Sequence, residues 1–127
     1  MLLEPKSFDC VVTFGSITEL ESESVVLQLF PDMLQTARDF VYVGEVSDLS
    51  KKELAEHLRA ASHTNSTGKQ KHVSKLTPPH LYVPKQLFKD VASSLGYVAE
   101  LRDHGSMGLT YPTAPYRYSV YVDLRNE

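Results

Sequence analysis

The sequence predicts a single α+β domain over residues 1–127: a two-layer fold with a mixed or antiparallel sheet of about five to six strands and about three helices on one face. Three observations predict it. Segments of period two alternate along the chain with segments of helical period. The last of them, with Tyr116, Tyr118, Val120, Val122 and Leu124 set against Arg117, Ser119, Tyr121, Asp123 and Arg125, alternates without a break. Finally, 127 residues with 42% apolar and 23% charged content suit one domain of ordinary composition.

Phe8, Cys10, Val12 and Phe14 alternate with Asp9, Val11 and Thr13, which predicts a strand burying the first four. Cys10 then reads as a small core residue rather than a nucleophile. Residues 25–30 begin with β-branched side chains and end before Pro31, which predicts a second strand, with a helix as the alternative. Pro31 suits the first turn of a short helix through Asp39, where its missing N–H costs nothing. Residues 40–46 read as a third strand.

The helix over about 51–61 carries the clearest local code. Ser50 and Glu53 have capping-box spacing, Leu49 and Leu54 the positions of a hydrophobic staple, and Leu54, Leu58 and Ala61 share a face. His57 borders that face as a rim residue. After a long interruption, His80 to Val83 reads as a short strand, and Pro84 opens a helix with the stripe Leu87, Phe88, Val91 and Leu95. Gly96 ends it, and Lys85 and Lys89 fall on its solvent side. Residues 97–102 form the next strand.

Two long connections interrupt this pattern, a basic loop at 62–77 and a second loop at 103–115. The first has no aromatic residue and too little apolar surface to order itself, which predicts a flexible segment. Residues 1–48 carry two basic and nine acidic side chains, whereas Lys51, Lys52, Arg59, Lys69, Lys71, Lys75, Lys85 and Lys89 crowd 51–89 beside Glu53 and Glu56. Four of the five histidines, His57, His63, His72 and His80, lie in the same span. A near-neutral chain thus holds a cationic middle able to attract anions.

Recognised motifs fail on spacing. Ser66-Thr67-Gly68-Lys69 departs from a phosphate-binding loop twice, with His63 where a glycine belongs and Gln70 after the lysine. Gly68 and its neighbours retain the ability to cradle an anion beside Lys69 and Lys71. His63 and His72 stand nine apart without a nearby cysteine, so no metal site is expected. Asp103, His104 and Ser106 lack a nucleophile elbow and read as a hairpin tip, in a loop whose Met107, Leu109 and Tyr111 suit partner recognition. Tyr121 between Arg117 and Arg125 is a thin nucleic-acid signature. One cysteine, no apolar run of membrane-spanning length and no leader at Met1 predict a reducing, cytoplasmic setting.

The leading expectation is a small non-enzymatic binding module: an inhibitor, adaptor or small-ligand-binding protein without cofactor. Its 62–77 and 103–115 loops would contact an anionic small ligand, nucleic acid or an acidic protein surface, through Lys69, Lys71, His72 and Lys75 first and Arg117 and Arg125 second. The alternative is a metal-independent phosphodiesterase or ribonuclease using His72 with nearby lysines, which needs an acid–base group and cations for the phosphorane. A second alternative is a winged-helix-like nucleic-acid-binding domain, from the helix–strand–loop–strand order after residue 84. An exposed strand edge would support a homo-oligomer.

Overall fold

The computed structural model describes residues 4–62, 80–106 and 112–125. Among them the chain runs β1 (Phe8–Phe14), α1 (Glu23–Thr36), β2 (Ala37–Asp48), α2 (Lys52–Ser62), β3 (Tyr82–Val83), α3 (Lys85–Ser94), β4 (Ala99–Asp103) and β5 (Arg117–Asp123), with short 3-10 turns at Ile17–Glu19, Leu49–Lys51 and Ala114–Tyr116. The fold is α+β, with a five-stranded mixed sheet and three α-helices among the described residues.

The sheet order is β1-β2-β5-β4, and β3 pairs with the last two residues of β2. Strand β1 lies parallel to β2, while β5 is antiparallel to both β2 and β4. At twelve residues β2 is the longest strand and the spine of the sheet. Val41 and Val43 stand opposite Val122 and Val120, all four fully buried, so this face meets the helices. Phe30 of α1 and Phe88 of α3 pack edge to face with ring centres 4.9 Å apart, and Phe88 meets Tyr118 of β5 at 6.2 Å. The Tyr118 hydroxyl donates to the Val83 carbonyl at 2.8 Å, which satisfies the one polar atom this ring brings into the core.

Residues 25–30 are helical, not a strand. Val26, Phe30, Met33 and Leu34 recur at helical spacing and are all buried, a pattern that continues straight through Pro31. Pro31 lies inside the helix and removes one backbone bond, at a cost of about 3 kcal/mol that the burial of this stripe offsets.

The alternation in β1 holds, but its sense is inverted. Because Cys10, Val12 and Phe14 pair with Phe40, Tyr42 and Gly44, they lie on the face turned away from the helices. Phe8, Val12 and Phe14 are 51%, 53% and 68% exposed, and Cys10 is exposed rather than a core residue. Val11 takes the inward place and packs on the core.

The entry to α2 also differs from the capping box. Asp48 is the cap, accepting from both the backbone N–H and the hydroxyl of Ser50, at 3.0 and 2.8 Å. Leu49 and Leu54 are exposed, and Ala55 with Leu58 faces Tyr82 and Tyr116 instead. The 3-10 turn at Leu49–Lys51 brings the chain into the helix on a different phase from a direct entry at Ser50. In α3, Leu87, Phe88 and Ala92 are buried as the stripe predicts, whereas Leu95 is exposed. Gly96 adopts φ +86° and ends the helix as expected, with Tyr97 N–H returning to the Ala92 carbonyl at 2.8 Å. The inward Tyr116, Tyr118, Val120, Val122 and Leu124 are all buried, as their alternation predicts.

Phe88 stands between Phe30 and Tyr118, so Phe88→Ala should cost about 3–5 kcal/mol. Urea denaturation checks this through a lower midpoint at unchanged slope. A loss below about 1 kcal/mol would mean the ring is not structural.

Candidate functional site

Charged side chains gather where β2 and β4 end and β5 begins, and a bulge in β2 decides which side of the sheet each occupies. Three steps along β2, from Val43 to Val46, oppose two along β5, from Val120 to Tyr118. Glu45, the extra residue, has φ +62°, a left-handed conformation unusual for any residue but glycine. The bulge returns Val46 to the core face and, two residues on, Asp48 with it, while Ser47 falls opposite Arg117.

Arg117 Nη1 donates to Glu45 Oε2 at 2.9 Å, and both side chains are close to nine-tenths buried. His104 sits beside them, its Nδ1 3.5 Å from Glu45 Oε1 and its backbone N–H bonded to the Arg117 carbonyl at 2.9 Å. Burial holds the His104 imidazole below its ordinary pKa, against the opposing pull of Glu45, with Arg117 adding to the depression and Asp103 working against it. His104 is therefore neutral near pH 7.

A second cluster ties α3 to the sheet. Lys85 Nζ lies 2.5 Å from Asp103 Oδ1 and 3.6 Å from Asp48 Oδ2, and Lys51 Nζ lies 3.8 Å from the same Asp103 oxygen. Lys85 thus turns to the sheet instead of the solvent side assigned by its helical position. Burial disfavours its charge, but hydrogen bonding and attraction from Asp103, reinforced by Asp48, raise its pKa overall. The Lys85 hydrogen bond in turn lowers the Asp103 carboxyl. A hollow of about 360 Å³ opens here, lined by Asp48, Leu49, Ser50, Pro84 and Lys85.

The third group joins α2 to β3 and to His80, two residues before it. Arg59 Nη2 donates to the Tyr82 hydroxyl at 2.9 Å and lies 3.0 Å from His80 Nδ1, while Lys52 sits 5.6 Å from the Tyr82 ring centre. Burial lowers the His80 pKa most, and the positive charges of Arg59 and Arg117 lower it further against Glu19. The cations of these clusters are therefore neighbours around one end of the sheet.

Of the residues singled out from sequence, Lys69, Lys71, His72 and Lys75 lie outside the described residues, as do His63 and residues 107–111 of the second loop. Arg117 and Arg125 are not brought together: Arg117 opens β5 and Arg125 lies two residues beyond its end, roughly 26 Å away at strand rise. Arg117 is paired with Glu45, whereas Arg125 makes two bonds to Asp123 at 3.0 and 3.1 Å on an exposed surface. His104 is buried, not part of a hairpin tip. Glu45 and Asp48 are not singled out by the sequence, and Asp103 is read there only as part of a hairpin tip. A lone glutamate after Gly44, within a run of Phe, Val and Tyr, was the available signal. No helix among the described residues is long and apolar enough to cross a membrane, and they contain no group of three His, Cys, Asp or Glu side chains able to hold a metal ion. Comparison with protein-family models, curated proteins and solved structures gives no match.

Truncating Arg117 would leave Glu45 charged and largely buried, so Arg117→Ala should destabilise the fold by about 3 kcal/mol in urea denaturation. The paired change Glu45→Gln with Arg117→Met should cost less than the single one. The histidines set a pH dependence. Both His80 and His104 have depressed folded pKa values, so the unfolded chain takes up protons first as pH falls below about 6.5. Stability should therefore drop between about pH 7.5 and about pH 5.5, and His104→Asn should narrow the difference. Asp103, depressed instead, loses its contribution only at lower pH, as its folded pKa is reached. A urea midpoint that is level or rising toward pH 5.5 would contradict the assignment.

Proposed function

We propose that the chain is a non-enzymatic binding module that takes an anionic ligand or an acidic protein surface at this end of the sheet. The convergence of Lys51, Lys52, Arg59, Lys85 and Arg117 around β3 and the ends of β2 and β4 carries the reading. Glu45, Asp48 and Asp103 neutralise the innermost of these cations, which leaves Lys52, exposed on α2, at the outer rim. In the sequence, Lys69, Lys71 and Lys75 fall between Arg59 and His80, which meet at this end. Burial lowers the His80 pKa, and the nearby charges of Arg59 and Arg117 lower it further. The buried groups are committed to one another, an arrangement that suits a rigid support for a binding segment better than a reacting centre. We place this binding in a cytoplasmic, reducing setting, on the single cysteine of the chain.

A labelled poly-glutamate peptide and a labelled single-stranded RNA, titrated by fluorescence anisotropy across roughly 50–200 mM salt, test the reading. One of them should bind with salt-dependent affinity, and the triple change Lys69→Ala, Lys71→Ala and Lys75→Ala should weaken it and reduce the logarithmic salt slope by about 2. Unchanged affinity and slope in the triple variant, or no binding of either probe, would remove the proposal.

A further inference from the structure

The two outer strands of the sheet are finished differently. On β4 the side chains turned away from the helices are Glu100 and Arg102, both exposed, with Arg102 Nη2 3.7 Å from Glu100 Oε2. Charges on an outermost strand discourage pairing with another chain. On β1 the corresponding side chains are Phe8, Cys10, Val12 and Phe14, all exposed and none charged. The nearest charge, Asp9, is bound to Arg38. Beside this strand, between it and α1, runs a groove of about 400 Å³ whose lining includes Val11, Leu29, Met33 and Thr36.

We propose that the edge of β1 left open among the described residues pairs with the same edge of a second copy of this chain, antiparallel and with its two-fold axis at Val11. Opposed residues in an antiparallel pair share a face, so the axis must keep the outward set facing itself. At Val11 it sets Phe8 against Phe14, Cys10 against Val12, and Asp9 against Thr13. An axis at Cys10 would set Phe14 against Lys6 and Asp9 against Val11, and one at Val12 would set Phe8 against Ser16. The Val11 axis alone among the three matches all four apolar side chains with one another.

The same geometry selects a second copy over a foreign extended segment, because the edge is complementary to itself. Pairing would join β4-β5-β2-β1 to its mirror order across the axis in one continuous sheet. Both outer strands of that sheet are then β4, whose Glu100 and Arg102 resist further addition, so the assembly closes at two chains instead of growing into a fibre. This inference does not rest on the anion-binding reading, whose residues occupy other strands and helices.

Sedimentation equilibrium of the full chain, over a concentration series reaching about 0.1 mM, tests it. The expected result is a reversible species of twice the 14.3 kDa chain mass. Val12→Lys and Phe8→Glu, at side chains already exposed, should each leave the circular dichroism spectrum and melting temperature intact. Each should raise the dissociation constant about tenfold or more, since the axis buries every introduced charge twice. Val12→Cys tests the register: under oxidising conditions Cys10 of one copy should join the introduced thiol of the other, giving a reducible covalent dimer on a gel. A single species of monomer mass at every concentration would overturn the proposal and return this edge to a foreign strand. A dimer indifferent to both charged variants would place the contact elsewhere and overturn it too. A dimer that Val12→Cys fails to cross-link would overturn the Val11 axis.

Discussion

The left-handed turn of backbone at Glu45 is the constraint from which the polar half of this molecule follows. A residue held there costs of order 1–3 kcal/mol and persists only where its surroundings over-determine it. Here the surroundings are visible: Arg117 and His104 meet the carboxylate, and Gly44 beside it lies beneath the rings of Tyr42 and Phe14. A Cβ on Gly44 would come within 2.7 Å of the Tyr42 ring and 2.9 Å of the Phe14 ring, so the close cover of the bulge depends on glycine. With Glu45 held in a regular strand and no bulge, the alternation of β2 would turn Val46 out to the open face and carry Asp48 away from α3.

Two layers are consequently fastened in different ways. Near the middle of the sheet the fastening is apolar, through Phe30, Phe88 and Tyr118 and the valines beneath them. At the end it is ionic, with Lys85, the first residue of α3, reaching Asp48 and Asp103 on separate strands. Lys85 also lies 5.7 Å from the Tyr118 ring centre, so the two fastenings touch. Helix α3 shares the main core with α1, while α2 belongs to a smaller cluster with Tyr82 and Tyr116.

Local periodicity made most elements legible, and its failures have identifiable causes. The strands at 8–14 and 117–123 and the helix at 85–94 follow directly from spacing. Helix α1 was obscured because Pro31 and a β-branched start are local signals, whereas the stripe that overrides them spans nine residues, from Val26 to Leu34. The inward face of β1 was unreadable because alternation gives two faces without naming the one that helices will cover. That choice was made by β2, through the register of Cys10 with Phe40 and Val12 with Tyr42. The site was the least legible part, since Arg59 meets His80 and Tyr82 across more than twenty residues, and Arg117 meets Glu45 across 72.

That same separation shapes how the molecule must assemble. Val41 of the spine strand waits for Val122, eighty-one positions later, while its other neighbour, β1, is nearby in the chain. A β1-α1-β2 unit has mostly short loops to close, but joining β5 requires nearly the whole polypeptide, and such distant pairings slow folding. On a ribosome the spine strand would emerge with one flank satisfied and the other bare until β5 is made. Over the eighty-one positions that separate Val41 from Val122 the nascent strand keeps an unpaired edge, and a chaperone has that interval in which to shield it.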